Sequence, residues 1–422
     1  MDKQAFCIGL AWFILTLFFS GCAATIGEVS ENVKPIIAGT ELSDGQLLDV
    51  TIEVFESEEL SEKEKDKLGM SEEIRQAEER FIPIHLMYTM QRSGYWGAVR
   101  VAPSEDHADV QVQGKILTSD GERLSLEVTA FDARGRQWFE RTYTENLEPS
   151  DHDNQNLVPQ EHDPFQDLYN TIANDLVEFR EQLNSNEFRE IREVSRLRFA
   201  EGMAPDAFGD YLERDASGLV TLKRLPAEDD PMLRRVDAIK VRDEMLLDTI
   251  NSYYDAYYQD LWQPYTDWRR LHAEEVSALR ELESQALTRQ LLGLASIIGG
   301  VVLSTGNNSI SNSSLPNVMV LGGAAAIYSG FEKRQETKIH KDVIEELSAS
   351  FSSEAEPLVV EVIGETVRLS GSAEQQYAQW RTMLRDIYAN ETGFLVENDL
   401  SVENDNDQSS DLTNRDKDDE SY

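Results

Sequence analysis

Cysteine is nearly missing from this chain, with only Cys7 and Cys22 in 422 residues. No paired-Cys spacing for zinc or haem can be drawn from them. Basic residues are scarce as well: 39 Lys and Arg stand against 79 Asp and Glu, a formal net charge of −40. A surface of that sign repels nucleic acid and anionic headgroups, so no nucleic-acid partner is expected. Also absent are a GxGxxG after a strand, a P-loop, a GxSxG elbow and an HExxH helix, so an enzyme of a known motif class is not expected. No apolar run reaches the roughly 20 residues of a comfortable membrane span. The six His residues form no cage. His152-Asp153 and His162-Asp163 have ligand types but no recognised metal-ligand spacing, and His85, His107, His272 and His340 are scattered, so no metal or cofactor is expected.

What is present begins at the start. Phe6 to Phe19 is apolar and runs into Ser20-Gly21-Cys22, after which the chain turns polar and acidic. An apolar stretch of about 7–15 residues followed by small residues is the pattern of a cleaved signal. A plain secretory signal and an N-terminal anchor helix compete with this, but a small pair before a Cys suits a lipobox best. The segment resembles the signal peptide of bacterial lipoproteins, with Phe19 where that family usually carries Leu. The resemblance implies removal of residues 1–21, a lipid such as palmitate on Cys22 as the only covalent group, and a mature chain without a thiol. Ala23, where an Asp commonly marks inner-membrane retention, implies the periplasmic face of the outer membrane.

At 40% hydrophobic content the rest can bury real cores. The expected fold class is α+β. Residues 22–46 carry Gly27, Pro35, Gly39 and Gly45 and read as a flexible tether. A small α/β sandwich domain is expected over 47–147. Leu48 to Phe55 alternates as a strand does, Glu72 to Arg80 is helical, and Pro83 opens a second helical segment. A strand follows over Tyr95 to Val101. An antiparallel meander is then expected over Ala108–Leu117, Arg123–Phe131 and Gln137–Thr144, turned at Gly121 and Gly135. The texts Ala108-Asp109-Val110-Gln111-Val112-Gln113-Gly114 and Phe131-Asp132-Ala133-Arg134-Gly135-Arg136-Gln137-Trp138 resemble the small periplasmic α/β module of three families. These are the curli-secretion-channel lipoproteins, the lipoprotein activators of penicillin-binding proteins, and the N-terminal domain of the Tol–Pal propeller protein. Such modules bind partners, so the resemblance implies a partner-binding domain and no catalysis.

Residues 163–390 are expected to be mainly helical. Asp163 is placed as an N-cap with Pro164 at the first helical position, ahead of the stripe Phe165, Leu168, Ile172, Leu176, Phe179. A long helix from Pro231 to about Leu292 is expected to kink at Pro264, and its later stripe suits a bundle or short coiled-coil seam. Around that proline Tyr254, Tyr258 and Trp262 share a face. They suit either glycan stacking or core packing, and their spacing of four favours packing. Two apolar arms, Leu291 to Leu303 and Val318 to Gly330, suggest a Gly-rich helical hairpin over 291–330. Gly293, Gly299, Gly300, Gly322, Gly323 and Gly330 would let helices approach closely, for contact with a membrane, a partner or a homo-oligomer. At about 13 residues each the arms are short for a span, which favours a hairpin tip within a soluble bundle. A β-hairpin is expected over 358–369 and a capping box at Ser372 and Gln375. The acidic tail 391–422 reads as disordered. The first functional expectation is a lipid-anchored scaffold or regulator of an envelope assembly. The alternative is a membrane-inserting or channel-like oligomer that uses the Gly-rich hairpin.

Overall fold

The structure is a computed structural model and describes residues 25–59, 61, 72–103, 108–147, 157–227, 229–303, 342–349, 358–362 and 365–392. Its elements in chain order are β1 (Thr25–Glu28), β2 (Val50–Glu53), β3 (Glu56–Ser57), α1 (Glu72–Ser93), β4 (Val99–Ala102), β5 (Val110–Ser119), β6 (Arg123–Asp132) and β7 (Gln137–Asn146). Then come α2 (Gln166–Glu181), α3 (Ser185–Met203), α4 (Pro205–Phe208), β8 (Leu212–Arg214), β9 (Val220–Leu222) and α5 (Pro231–Leu303). A helical segment α6 over 342–349 precedes β10 (Leu358–Val362), β11 (Glu365–Leu369) and α7 (Ala373–Thr392). The fold is α+β.

The main sheet runs β1-β7-β6-β5-β2-β4, with β3 pairing β5. The expected meander is there as β5, β6 and β7, each ten residues long, with Val110, Val112, Ile116, Leu126 and Val128 buried on one face. Strands β1, β7, β5, β2 and β4 point one way and β6 the other. The sheet therefore has a leading end, where β1, β2 and β5 begin, and a trailing end, where they finish. Helix α1 is the crossover between the parallel strands β2 and β4. It is buried on several sides, with Ile74, Phe81, Ile82, Ile84, Leu86 and Met90 in the core and the polar Glu78, His85 and Thr89 buried beside them. Its neighbours are the sheet, α2 and α5.

Proline was the least reliable punctuation. Pro83 lies inside α1 rather than at a new start, and α5 passes through Pro264 as one helix of 73 residues, about 110 Å long. Each proline removes one backbone hydrogen bond, and buried side chains flank both: Phe81 and Ile84 around the first, Tyr258, Leu261, Trp262, Tyr265 and Trp268 around the second. Helix α5 lies along the β4 edge. The Asn251 side chain accepts from Val101 N at 2.8 Å and donates to Val101 O at 2.9 Å, standing in for the strand that β4 lacks. Further along, α5 meets the β5–β6 turn so closely that a Cβ on Gly121, at φ +82°, would sit 2.5 Å from Arg269 O. One hydrophobic cluster takes in Val50 and Val128 of the sheet, Tyr254 of α5 and Tyr388 of α7. The expected α/β and helical domains thus share a core. The β-hairpin β10–β11 and the Ser372–Gln375 capping box are present, the box with bonds of 3.1 and 3.3 Å.

The stretch 22–46, expected as a free tether, is built into the body from Thr25 onward. β1 adds to the sheet edge in parallel register with β7, Thr25 opposite Arg141. Val29 N continues the ladder to Thr144 O at 2.9 Å.

Candidate functional site

The segment after β1 is strapped to α2 by three polar side chains. Asp167 accepts from Asn32 N at 2.6 Å and Val33 N at 2.9 Å. Asn170 donates to Val33 O at 2.9 Å. Asn174 accepts from Ile36 N at 2.7 Å and donates to Lys34 O at 2.9 Å. These residues are spaced three and four apart, one helical stripe beside the apolar stripe of Leu168, Ile172 and Leu176. The stripe satisfies the backbone of an extended chain much as a neighbouring strand would. Sequence reasoning passed over it. The spacing was visible, but its partner lies about 135 residues away.

Beside the strap, at the trailing end, opens a cavity of about 1120 Å³. Val29 to Pro35 form one wall, and Asn146 and Leu147 at the end of β7 another. The start of α2 and the loop carrying Glu161 and His162 close it, with Arg92 at the end of α1. The lining is divided about evenly between polar and apolar surface, mixed in sign and rich in side-chain amides, a chemistry suited to an extended peptide-like chain with both kinds of side chain. Gln160 in that loop has φ +68° and Asn32 in the strap φ +59°. These uncommon conformations are held from several sides. Gln160 donates its N–H to Tyr258 Oη at 3.1 Å and its side-chain amide to Asp255 at 3.1 Å, and Arg92 donates to its carbonyl.

Behind the cavity a hydrogen-bond chain fixes the wall. Tyr258 Oη accepts from Gln160 N, so its own hydroxyl donates to His85 Nδ1 at 2.7 Å. His85 is therefore the Nε2–H tautomer and donates to Gln166 Oε1 at 2.9 Å. Gln166 donates to Asn170 Oδ1 at 3.1 Å, and Asn170 holds the strap. Burial pushes the His85 imidazole down to about 4, against a smaller opposing pull from Asp163. It is a neutral, fully bonded support and not a proton shuttle at neutral pH.

Asp163 does part of the expected capping, since its carboxylate accepts from Phe165 N at 3.0 Å and Gln166 reaches back to its N–H at 3.2 Å, but it does more than cap. Helix α2 starts three residues later at Gln166, and the Asp163 carboxylate receives Arg269 on both oxygens, at 3.0 and 2.5 Å. The pair His162-Asp163 is thereby split, His162 lining the cavity and Asp163 buried in the core. Among the described residues no group of three or more His, Cys, Asp or Glu is gathered to hold a metal ion. Tyr254, Tyr258 and Trp262 are buried, so glycan stacking is closed to them. Phe81 stacks on Tyr258 at 4.7 Å and on Trp262 at 5.9 Å between ring centroids, which spends their faces on one another. Gly293, Gly299 and Gly300 lie in the last turns of α5. Cys22, Gly322, Gly323 and Gly330, the second hairpin arm, His152-Asp153 and the tail from 393 lie outside the described residues. No family model, no curated protein and no solved structure matches this chain.

Proposed function

We propose that this chain is an envelope lipoprotein, anchored through lipid on Cys22 at the periplasmic face of the outer membrane, that acts as a non-enzymatic scaffold or regulator of an envelope assembly. The observation that carries the reading is the strap. Cys22 stands three residues before β1, so chain reach keeps it within about 11 Å of the sheet edge. A lipid there would hold a rigid body against the bilayer by its leading end. The cavity, built at the trailing end from the same segment, would then face away from the membrane, toward a partner's extended segment. Two measurements test it. Metabolic labelling with a palmitate analogue should mark the wild type and not Cys22→Ala, with the label in the outer-membrane fraction. A photo-crosslinker at the exposed cavity residue Lys34 should trap an envelope protein in whole cells, while one at exposed Glu140 near the leading end should not. Absence of label in the wild type sinks the anchor, and equal trapping at both positions sinks the cavity.

A second reading, an oligomer that inserts into a membrane, is supported by the course of α5. The helix continues through Gly293, Gly299 and Gly300 to Leu303, although each interior glycine costs a helix about 1 kcal/mol. A close helical neighbour would offset that cost. Among the described residues no helix is long and apolar enough to cross a membrane. Detergent-dependent oligomers of the Cys22→Ser chain that vanish with Gly293→Leu and Gly300→Leu would favour this reading over the first.

A further inference from the structure

At the leading end a groove of about 630 Å³ lies between α3 and α5. Its lining carries four cations (Arg189, Arg192, Arg196, Lys240) and five carboxylates (Asp49, Asp109, Glu193, Asp237, Glu244). In a chain of net charge −40 four cations in one groove bring it close to charge balance, and the charges are sorted. Arg196 and Asp237 form a two-pronged pair at 2.8 and 2.5 Å and neutralise each other, and Lys240 lies 3.6 Å from Glu244. Arg189 and Arg192 pair with no carboxylate among the described residues. Arg189 donates to Asn186 at 2.8 Å and Arg192 to Asp44 O at 2.9 Å, leaving most of both guanidinium forks unspent.

Opposite them sit Asp49 and Asp109, the residues just before the parallel neighbours β2 and β5. Asp109 is 7% exposed. One oxygen of each is committed, Asp109 Oδ2 to Asp49 N at 3.0 Å and Asp49 Oδ1 to Ala98 N at 2.8 Å. Gly97 makes room for the second contact, since a Cβ there would lie 2.3 Å from that Asp49 oxygen. The other oxygen of each carboxylate has no hydrogen-bond partner among the described residues. Asp109 is buried and Asp49 half-buried, so two acids stand side by side with open lone pairs facing the groove, where a cation would offset their mutual repulsion. Burial, with the neighbouring Asp49 charge adding to it, raises the Asp109 carboxyl above its ordinary range, while Lys240 and Arg192 oppose the shift.

We propose that this groove binds a small zwitterion carrying a primary ammonium and a phosphate, the chemistry of a phosphoethanolamine headgroup. The ammonium has three N–H donors for the open oxygens of Asp49 and Asp109. The phosphate takes the forks of Arg189 and Arg192, which suit its planar pairs of oxygens. A lipid is one source, because the groove opens at the end of the sheet where β1 begins; this clause alone rests on the anchoring reading above. A soluble phosphoethanolamine is the other.

The test is calorimetric titration of the full-length chain in a non-ionic detergent with sn-glycero-3-phosphoethanolamine. Saturable binding is expected, at least about tenfold weaker for glycerophosphocholine, glycerol phosphate and ethanolamine, each of which lacks one half of the recognition. Arg192→Gln and Asp109→Asn should each weaken it about tenfold or more. The amide introduced by Asp109→Asn retains an acceptor for Asp49 N, and Arg192 is on the surface, so at least one variant keeps the fold. Retention of the Cys22→Ser chain on vesicles containing phosphatidylethanolamine, and not on phosphatidylcholine ones, assigns the lipid source. Binding of the soluble probe without such retention assigns the free zwitterion. No saturable heat, or equal affinity for ethanolamine alone, overturns the proposal. A missing palmitate label with an intact titration would remove the anchor and leave the groove.

Discussion

Two carboxylates, Asp163 and Glu78, are wholly buried against α5, both feel the charge of Arg269, and their acidities move in opposite directions. Burial alone raises each. At Asp163 burial is still the largest single influence, but the charge and hydrogen bonds of Arg269, with smaller help from His85 and Phe165 N, together override it. The guanidinium arrives two-pronged at 3.0 and 2.5 Å, Phe165 N adds a bond at 3.0 Å, and the carboxyl is held below its ordinary range. The arginine itself lies within 5.5 Å of the Phe81 ring centre and 4.4 Å of that of Tyr265, which adds cation–π attraction in a dry site. At Glu78 desolvation wins. One oxygen takes the hydroxyls of Ser119 at 2.6 Å and Tyr265 at 2.9 Å, and the other a single contact from Arg75 at 3.2 Å, so the carboxyl ends raised. The contrast teaches that burial is carried by geometry. A fork from another element, joined by a backbone N–H, outweighs desolvation, and one contact from the same helix with two hydroxyls does not. It also makes the Asp163–Arg269 pair the strong latch between α5 and the loop bordering the cavity, and Glu78–Tyr265 the weak one.

The largest expected effect tests the strong latch. Arg269→Met leaves Asp163 as an uncompensated buried charge and should cost about 3–5 kcal/mol in urea unfolding. Adding Asp163→Asn to it should restore more than half, because no charge then remains to strand. A loss below about 1 kcal/mol for the single variant would mean that solvent reaches the pair and the contrast is void.

Next in size is the acid response of the wall behind the cavity. His85 is held neutral to about 4, against 6.5 when free. The unfolded chain binds the extra proton between those values. The stability this group contributes is therefore complete above pH 6.5 and is lost as pH falls toward 4, by a total on the order of 3 kcal/mol. His85→Gln should flatten that part of the stability-against-pH curve. An unchanged slope would show that His85 is solvated and that the cavity wall is open.

Much of the fold could be read in advance where local pattern and environment agree. The alternation in Ala108–Thr144 gave β5 to β7 to within about two residues, and Ser372 with Gln375 marked a real helix start. The misses share a cause. Pro83, Asp163 and residues 25–36 are each governed by partners distant in sequence: packed rings, Arg269, or the Asp167–Asn170–Asn174 stripe. The candidate site was the least legible part. A polar stripe on a helix reads as a solvated face until the segment it holds is in place, and two Asp residues 60 positions apart become neighbours only once β2 pairs with β5.

The smallest effect sharpens the comparison most, because it turns on sign. Glu78→Gln keeps the shape, gives up the charge and should change stability at pH 7 by only about 1 kcal/mol. Its direction with pH is fixed by linkage. The folded carboxyl binds its proton more tightly than the unfolded one, whose ordinary value is 4.5. Wild-type stability from this group is thus full below 4.5 and is lost as pH rises through the raised folded value. Relative to wild type, Glu78→Gln should gain across that window. Asp163→Asn should do the reverse. The folded Asp163 binds its proton more weakly than the free value of 3.8, so wild type loses its advantage as pH falls below that point and holds it fully above. Stability curves of the two variants against wild type from pH 3 to 7 should therefore slope in opposite senses. Parallel slopes would mean that Glu78 is as well compensated as Asp163, and that Arg269 serves both acids rather than one.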